Sequence, residues 1–475
     1  MEQPNLIGRK TELKILDSLV ESKKPEFVVL YGRRRVGKTF LVKQFFSERF
    51  SFYSTGVISG SREDKLNGFH SSLKRYGCTE KKPPVNWFEA FDRLRDLLEK
   101  PYCYREGKNQ KRVVFLDELP WMDSRRSDFK AAFDFFWNTY GSTQSDLILL
   151  VCGSATSWII NNIVKDTGGF YNRLTNQIHL MPFHLKECKA FCLKKGLNLK
   201  DEQILRGYMV FGGIPYYWDL LNPALSLDQN IQNLCFEETG QLRYEYGALF
   251  HSLFSSKGEH RAVIETLAKK KDGVLRNDFL KESEIRGGRQ LTETLEELEQ
   301  CGFIRKYRNQ KTAKSNPFYQ IIDPFVRFAI TFLNEGKIDS WMKYIGKASY
   351  FAWTGNSFEL LCLNHIKEIK EALSIGGVDT REYSFRSKKS SPGAQIDLCI
   401  DRADGIIDIC EMKYTEDPFL LDESYLNNLR NKISVFREET KTDAAIHLVM
   451  ISVKGIKGKK PDSIVTIVLD KEIFF

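Results

Sequence analysis

The chain lacks an apolar run long enough to cross a bilayer and has no CxxC pair among its ten cysteines. A spanning helix needs about 20 apolar residues, whereas the best run, at residues 147–151, has the length of a strand. The amino-terminal MEQPN is polar and unlike a signal peptide. The cysteines are scattered, with Cys188 and Cys192 four positions apart. These absences predict buried free thiols, a cytoplasmic location and no membrane partner.

The sequence also lacks a strong charge of either sign, because its formal net charge is only +9 over 475 residues. Such a charge permits a nucleic-acid partner without requiring one. With 42% hydrophobic and 28% charged residues, the composition is that of an ordinary globular protein. The length exceeds what one hydrophobic core usually organises, so we expect three or four domains.

A glycine-rich loop follows an apolar run near the amino terminus. Residues 26–31 read EFVVLY, residues 32–39 read GRRRVGKT, and FLVKQFF then has helical character. Strand, loop and helix arrive in the order of a P-loop, in which glycines turn backbone N–H groups toward phosphates. The lysine reaches the β- and γ-phosphates, and the threonine hydroxyl can ligate Mg²⁺. The predicted ATP-binding residues are Gly32, Arg33, Arg34, Arg35, Val36, Gly37, Lys38, Thr39 and Phe40.

Two further apolar runs end in polar residues. Residues 112–118 read RVVFLDE, so Asp117 could hold Mg²⁺ through water and Glu118 could polarise the attacking water. The alternative is that this pair only caps the turn before Pro120. Residues 147–152 read LILLVC and lead to Ser154, which could sense the γ-phosphate or cap the next helix. Arg173 could stabilise γ-phosphate charge from this or a neighbouring subunit, or be a solvated arginine.

Six motifs occur in order: LIGRKTELKIL, YGRRRVGKT, FLDELPW, VCGSAT, YNRLT and GGIPYYW. Together they resemble the archaeal-type ATPase family, in the AAA-like, STAND-related branch of P-loop ATPases, over about residues 1–255. The resemblance implies a three-layer α/β/α core with a helical lid. It also implies that Gly8 and Arg9 lie beside the adenine and that Pro215 contacts the base. One departure is Ala155, where a serine is common in the family.

Residues 256–330 show three short amphipathic segments, then a strand, a basic turn and a second strand, a pattern that predicts a winged helix-turn-helix. Its third helix, at about 289–300, is a poor face for DNA phosphates. That helix carries Arg289 and four acids, Glu293, Glu296, Glu297 and Glu299. The two strands and the turn between them, which form the wing, are basic and could contact a nucleic-acid backbone. Their basic residues are Arg305, Lys306, Arg308, Lys311 and Lys314. A hinge or partner surface is the alternative use.

After DPFVRF (323–328), the chain resembles a domain that is frequently fused to these ATPases and is related to PD-(D/E)xK nucleases. The candidate catalytic residues are Glu359, in the helical segment SFELLCLNHIKEIKEAL, and Asp397, Glu411 and Lys413. Strand alternation puts Glu411 and Lys413 on one face. A turn signal at residues 402–405 predicts that Asp397 ends or lies within a neighbouring hairpin strand. Asp397 and Glu411 could hold Mg²⁺ near a phosphate, while Lys413 steadies the attacking hydroxide. A half-exposed strand with an ordinary Glu–Lys ion pair is the alternative.

Ile396 stands where the nuclease motif has proline. Basic residues that could contact phosphates nearby are Arg386, Lys388, Lys389 and the run at 454–461. The predicted fold class is thus α/β, with a P-loop core (1–185), a helical lid (186–255), a winged helix (256–330) and a restriction-endonuclease-like α/β domain (331–475).

The predicted function is a Mg²⁺-dependent, ATP-hydrolysing switch that controls a DNA-cleaving or DNA-binding domain. The alternatives are a signalling ATPase and a transcription regulator, in either of which the C-terminal domain is an inactive binding module. Besides ATP, the candidate partners are DNA and further copies of the chain.

Overall fold

The computed structural model describes residues 6–475 except 125, 155, 166–167, 169–171, 255–258, 271–272, 283–284, 308–316, 334–339, 388–392 and 458–464. The chain forms two compact units, residues 1–182 with 251–256 and residues 183–250 with 257–475. Among the described residues, no helix is both long and apolar enough to cross a membrane.

The first unit is built on a five-stranded parallel sheet. Its strands are β1 (Glu26–Tyr31), β2 (Phe52–Thr55), β3 (Arg112–Asp117), β4 (Leu147–Gly153) and β5 (Asn176–His179). Its helices are α1 (Lys10–Glu21), α2 (Lys38–Phe45), α3 (Arg62–Arg75), α4 (Trp87–Leu98), α5 (Phe129–Thr139) and α6 (Thr156–Ile159). The predicted α/β class is confirmed for this unit, whose sheet the structure shows to be parallel.

The strand order β2-β3-β4-β1-β5 places β4 between the P-loop strand and the strand that ends in Asp117. All seven residues of β4 are buried, which explains why this run reads as continuously apolar. Helices α4 and α5 pack their aromatic faces together, with Trp87 and Phe129 ring centroids 4.8 Å apart. Because the strands are parallel, the carboxyl ends of β1, β3 and β4 meet at one edge of the sheet.

The helices of residues 183–475 are α7 (Leu185–Lys195), α8 (Asp201–Phe211), α9 (Pro215–Asp219), α10 (Leu227–Ile231), α11 (Glu245–Leu253), α12 (His260–Ala268), α13 (Arg276–Phe279), α14 (Arg289–Gln300), α15 (Pro324–Phe332), α16 (Ala348–Asn364), α17 (Ile366–Ala372) and α18 (Glu423–Thr440). The strands are β6 (Val274–Leu275), β7 (Ile304–Tyr307), β8 (Phe318–Ile321), β9 (Thr380–Arg386), β10 (Gln395–Arg402), β11 (Ile406–Lys413), β12 (Phe419–Leu420), β13 (Ala445–Ser452), β14 (Ile456–Lys457) and β15 (Val465–Leu469).

The second unit has a small sheet of order β6-β8-β7 and a larger mixed sheet of order β15-β13-β11-β10-β9. In the small sheet, β6 lies between α12 and α13, and β7 and β8 follow α14. Strands β9, β10 and β11 are antiparallel, whereas β11, β13 and β15 run parallel. The predicted turn between β10 and β11 is present, closed by the Gly405 N–H on the Arg402 carbonyl at 3.2 Å. Helix α18 joins β11 to β13 and buries Leu429 and Phe436 against the sheet.

The segment SFELLCLNHIKEIKEAL was expected to be one helix, and that expectation is wrong at His365. Helix α16 ends at Asn364 and α17 begins at Ile366, with His365 between them at φ −120° and ψ 34°. The buried ring of His365 is held at both nitrogens, by the Leu361 carbonyl (2.8 Å) and by the Leu185 N–H (3.3 Å). A side chain fixed by long-range contacts can override local helical periodicity.

Candidate functional site

The P-loop curls between β1 and α2 through backbone shapes that favour glycine. Gly32 has φ +145°, and a Cβ there would lie 2.4 Å from the backbone oxygen of Leu180. Gly37, which precedes α2, has φ +94°. Most side chains would be strained at either position, so both glycines are required by the turn itself.

Lys38 and Thr39 begin α2 and point to different groups. The Lys38 ammonium is buried and donates to the carbonyl oxygens of Gly32 (2.9 Å) and Arg33 (3.0 Å). The Thr39 hydroxyl lies 3.0 Å from both carboxylate oxygens of Asp117, at the end of β3. A hydroxyl and a carboxylate that converge in this way supply the oxygen ligands that Mg²⁺ prefers. The donor set therefore fits the predicted Mg²⁺ site.

Asp117 is buried and oriented by two groups that the sequence analysis did not single out for this site. The Cys152 thiol, on β4, donates to Asp117 Oδ1 at 2.6 Å, and the Tyr53 hydroxyl, on β2, lies 3.4 Å from Oδ2. Burial, and next the Asp117 charge, raise the pKa of both Cys152 and Tyr53, so both remain protonated donors. Their positions in the sequence could have indicated this role, because Tyr53 and Cys152 each lie near the carboxyl end of a strand.

Glu118 adopts a left-handed backbone conformation (φ 47°) directly after β3. Its Oε2 accepts hydrogen bonds from the N–H and the hydroxyl of Ser154, both at 2.9 Å. Burial raises the pKa of Glu118, and the nearby Lys38 charge opposes that shift. The structure thus brings the predicted catalytic residues Lys38, Glu118 and Ser154 together, and the two hydrogen bonds from Ser154 orient the Glu118 carboxylate.

Arg9 stabilises the P-loop through hydrogen bonds to backbone carbonyl groups. It is buried, has φ 61°, and donates to the carbonyl oxygens of Val36 (3.1 Å) and Met181 (2.8 Å). Gly8, beside it, also has positive φ (64°). An imidazole that the sequence analysis missed, His179 at the end of β5, stacks on Tyr31 with ring centroids 4.8 Å apart.

The other predicted nucleotide-site residues differ in exposure. Arg33 and Val36 are buried, Arg34 and Arg35 are half-buried, and Phe40 is exposed. Arg173 is exposed in the turn before β5. Pro215 occupies the first position of α9 in the second unit, where a proline suits a helix start. Its predicted contact with adenine stays a prediction.

The second candidate site is centred on Glu411 in β11. Asp397 lies one position beyond the paired residues Leu398 and Cys410, so Asp397 and Glu411 are opposite one another on neighbouring strands. Lys413 Nζ lies 2.9 Å from Glu411 Oε1. Six consecutive residues of β11 are buried, so the alternative of a half-exposed strand is wrong, although the Glu–Lys ion pair is present.

Two groups on α18 complete the surroundings of Glu411. The Tyr425 hydroxyl donates to Oε1 at 2.6 Å and the Lys432 ammonium donates to Oε2 at 2.7 Å. Burial alone would raise the pKa of Glu411, but the charges of Lys432 and Lys413 lower it to about 2. Sequence analysis missed both α18 residues, although their spacing of seven places them on one helix face.

Glu359 and Asp397 line one cleft in the second unit, with a free volume open to solvent of about 570 Å³. The cleft also contains three arginines from three elements: Arg305 on β7, Arg327 on α15 and Arg386 on β9. Burial raises the pKa of the Tyr425 hydroxyl, and the charges of Glu411, Glu359 and Asp397 raise it further. The charges of all three predicted carboxylates therefore act on one hydroxyl.

Several predicted phosphate contacts lie elsewhere or outside the described residues. Lys454 forms an ion pair with Glu202 on α8, and Lys306 is exposed on β7. Lys388, Lys389, Arg308, Lys311, Lys314 and residues 458–461 lie outside the described residues.

Comparison with known proteins gives a family match for the amino-terminal part of the chain. Residues 6–221 match the family described as an ATPase domain predominantly from Archaea. The chain is 24% identical over 377 residues to an uncharacterized protein of Methanocaldococcus jannaschii, covering 77% of this chain and 78% of that protein. A 43-residue stretch, 9% of this chain and 73% of the relative, is 44% identical to an uncharacterized ATP-binding protein of the same organism.

Among solved structures, the chain is similar to a Walker-type ATPase of Pyrococcus abyssi. The TM-score is 0.48 at 18% identity, and the match covers 69% of this chain and 97% of that chain. The family match supports an archaeal-type ATPase domain in residues 6–221, and with it nucleotide binding.

Proposed function

We propose that the chain is a Mg²⁺-dependent ATPase switch whose nucleotide state controls a DNA-cleaving site in its C-terminal domain. The ATPase half rests on one observation: Lys38, Thr39, Asp117, Glu118 and Ser154 converge at one sheet edge. In ATP hydrolysis, Lys38 would bind phosphate oxygens and Glu118 would accept a proton from the attacking water. Thr39 and Asp117 would hold Mg²⁺, which offsets phosphate charge when it is bound.

The nuclease half of the proposal rests on the three carboxylates whose charges act on Tyr425, namely Glu411, Glu359 and Asp397. Since Tyr425, Lys432 and Lys413 already contact Glu411, a metal ion would rest mainly on Asp397 and Glu359. Lys413 would orient the attacking water. Water would add to phosphorus, one P–O ester bond would break, and the water proton would pass to the leaving oxygen.

The arginines of the cleft favour a phosphodiester as its ligand. Both the Nε and an Nη of Arg305 donate to Gln320 on the paired strand β8, at 3.0 and 2.7 Å, so the hairpin holds this guanidinium in place. Arg305 interacts electrostatically with Asp397, and Arg327 with Glu359. Positive groups beside metal-binding carboxylates suit a phosphate that bridges the two.

The order of α12 to α14 and the β7–β8 hairpin supports the proposal of a winged helix. Within it, α14 presents acidic residues, while Arg305 of the hairpin lines the cleft. We therefore propose that the hairpin serves the cleft and that α14 does not read a DNA groove. Helices α7 to α10 would form the lid.

A plasmid-nicking assay with Mg²⁺ tests the nuclease. We expect cleavage by the wild type, none by Lys413→Ala, and reduced cleavage by Lys38→Ala if ATP controls the site. Arg305→Ala should weaken DNA binding, whereas Lys306→Ala, the exposed neighbour on the same strand, should not. Intact ATP turnover without cleavage at any enzyme concentration would favour the alternative of a signalling ATPase with an inactive binding module.

A further inference from the structure

Two imidazoles and a carboxylate, none of which lines the cleft, meet within the second unit. His184 immediately precedes α7, His365 separates α16 from α17, and Glu368 lies in the first turn of α17. One ligand atom from each lies within 4.8 Å of the other two. His184 Nδ1 is 2.8 Å from a carboxylate oxygen of Glu368. The sequence analysis assigned no role to these three residues.

His365 has the orientation of a metal-binding histidine. Its Nδ1 lies 2.8 Å from the Leu361 carbonyl oxygen, which can only accept, so the proton is on Nδ1 and the lone pair on Nε2. The Leu185 N–H donates a long hydrogen bond to that lone pair at 3.3 Å, and a bound metal ion would replace this hydrogen bond. Metal-bound histidines are commonly fixed in this way, with the distal nitrogen donating to a carbonyl.

Glu368 supplies the second observation that points to a ligand. Its Oε1 contacts His184, whereas its Oε2 is buried and has no hydrogen-bond partner among the described residues. A buried carboxylate oxygen without a partner is costly, and a cation would compensate it. The His184 side chain is 46% exposed, which leaves a path for an ion and for water.

We propose that His184, His365 and Glu368 bind one transition-metal ion of the Zn²⁺ type, with water as a further ligand. Two nitrogens and one carboxylate are a donor set that zinc accepts, whereas Mg²⁺ and Ca²⁺ prefer oxygen ligands alone. The ion joins the start of α7 to α17, so it fastens two helices that are far apart in sequence. The competing interpretation is a His184–Glu368 ion pair with a structural His365.

The full chain, stripped of metal by chelation and dialysis, is titrated with Zn²⁺ in excess Mg²⁺, which fills the oxygen-ligand sites. A chromophoric chelator reports affinity, and elemental analysis reports stoichiometry. We expect one tightly bound zinc per chain. His184→Ala and Glu368→Gln should each weaken binding by about tenfold or more, because even indirect partners of metal ligands contribute that much.

A matched control is Glu297→Gln. Glu297 lies 2.6 Å from His260, so it forms a comparable His–Glu pair. Among the described residues, this pair has no third His, Cys, Asp or Glu ligand close enough to share a metal ion. This variant should keep wild-type zinc affinity. Zinc should also raise the melting temperature of the wild type and Glu297→Gln but not that of Glu368→Gln. Absence of stoichiometric zinc, or equal affinity in all variants, would overturn the proposal and leave only the ion pair.

Discussion

Replacing Glu411 by glutamine should destabilise the second unit, and the loss should depend on pH. The surrounding charges of Lys432 and Lys413 lower the pKa of Glu411 from 4.5 to about 2. Each pKa unit corresponds to about 1.4 kcal/mol, so the ionised, buried carboxylate contributes roughly 3 kcal/mol at neutral pH. Because the folded pKa is the lower one, this contribution is complete above about pH 5 and is lost as pH falls toward 2.

Urea unfolding of the full chain at pH 7 and pH 3 measures this difference. We expect Glu411→Gln to lower the free energy of unfolding by about 3 kcal/mol at pH 7 and by only about 1 kcal/mol at pH 3. Glu423→Gln, at an exposed carboxylate on α18 that pairs with Arg430, should change it by less than about 0.5 kcal/mol at either pH. An equal loss for Glu411→Gln at both pH values would refute an origin in its charge.

Two further changes test the nucleotide site. Gly32→Ala would place a Cβ 2.4 Å from the Leu180 backbone oxygen, so ATP affinity should fall by at least about tenfold, or roughly 1.4 kcal/mol. Gly247→Ala, whose added Cβ would have no atom from outside its own helix within 4 Å, should bind ATP with wild-type affinity by calorimetry. Ser154→Ala removes the hydroxyl hydrogen bond to Glu118 and leaves the one from the backbone N–H. We expect kcat for ATP hydrolysis to fall several-fold with little change in ATP affinity. An unchanged kcat would contradict a positioning role for Ser154.

Local patterns in the sequence were sufficient for the P-loop. A buried strand, two glycines and a helix in fixed order are consecutive in the chain, so no long-range contact is needed to recognise them. The same holds for the hairpin of β10 and β11 and for the helix at Arg289–Gln300. In each case the apolar period and the turn residues lie within a few positions of one another.

The side chains that contact Asp117 and Glu411 could not be predicted from local sequence patterns. Tyr53 and Cys152 contact Asp117 only because the sheet places β2 and β4 on either side of β3. Tyr425 and Lys432 reach Glu411 because α18 crosses back over β11. Strand order and helix crossing are set by the packing of the whole unit, which no local window contains.

The sequence by itself therefore determined which residues are candidates for phosphate and carboxylate chemistry, because those residue types are needed at set spacings for that chemistry. Only the tertiary structure decided how they are held. It paired Ser154 with Glu118 and lined one cleft with Arg305 and Asp397. It also broke a predicted helix at His365, whose ring is fixed by the Leu185 N–H, 180 positions away in the chain. Such contacts arise from burial and packing between distant segments, so they cannot be predicted from the local sequence.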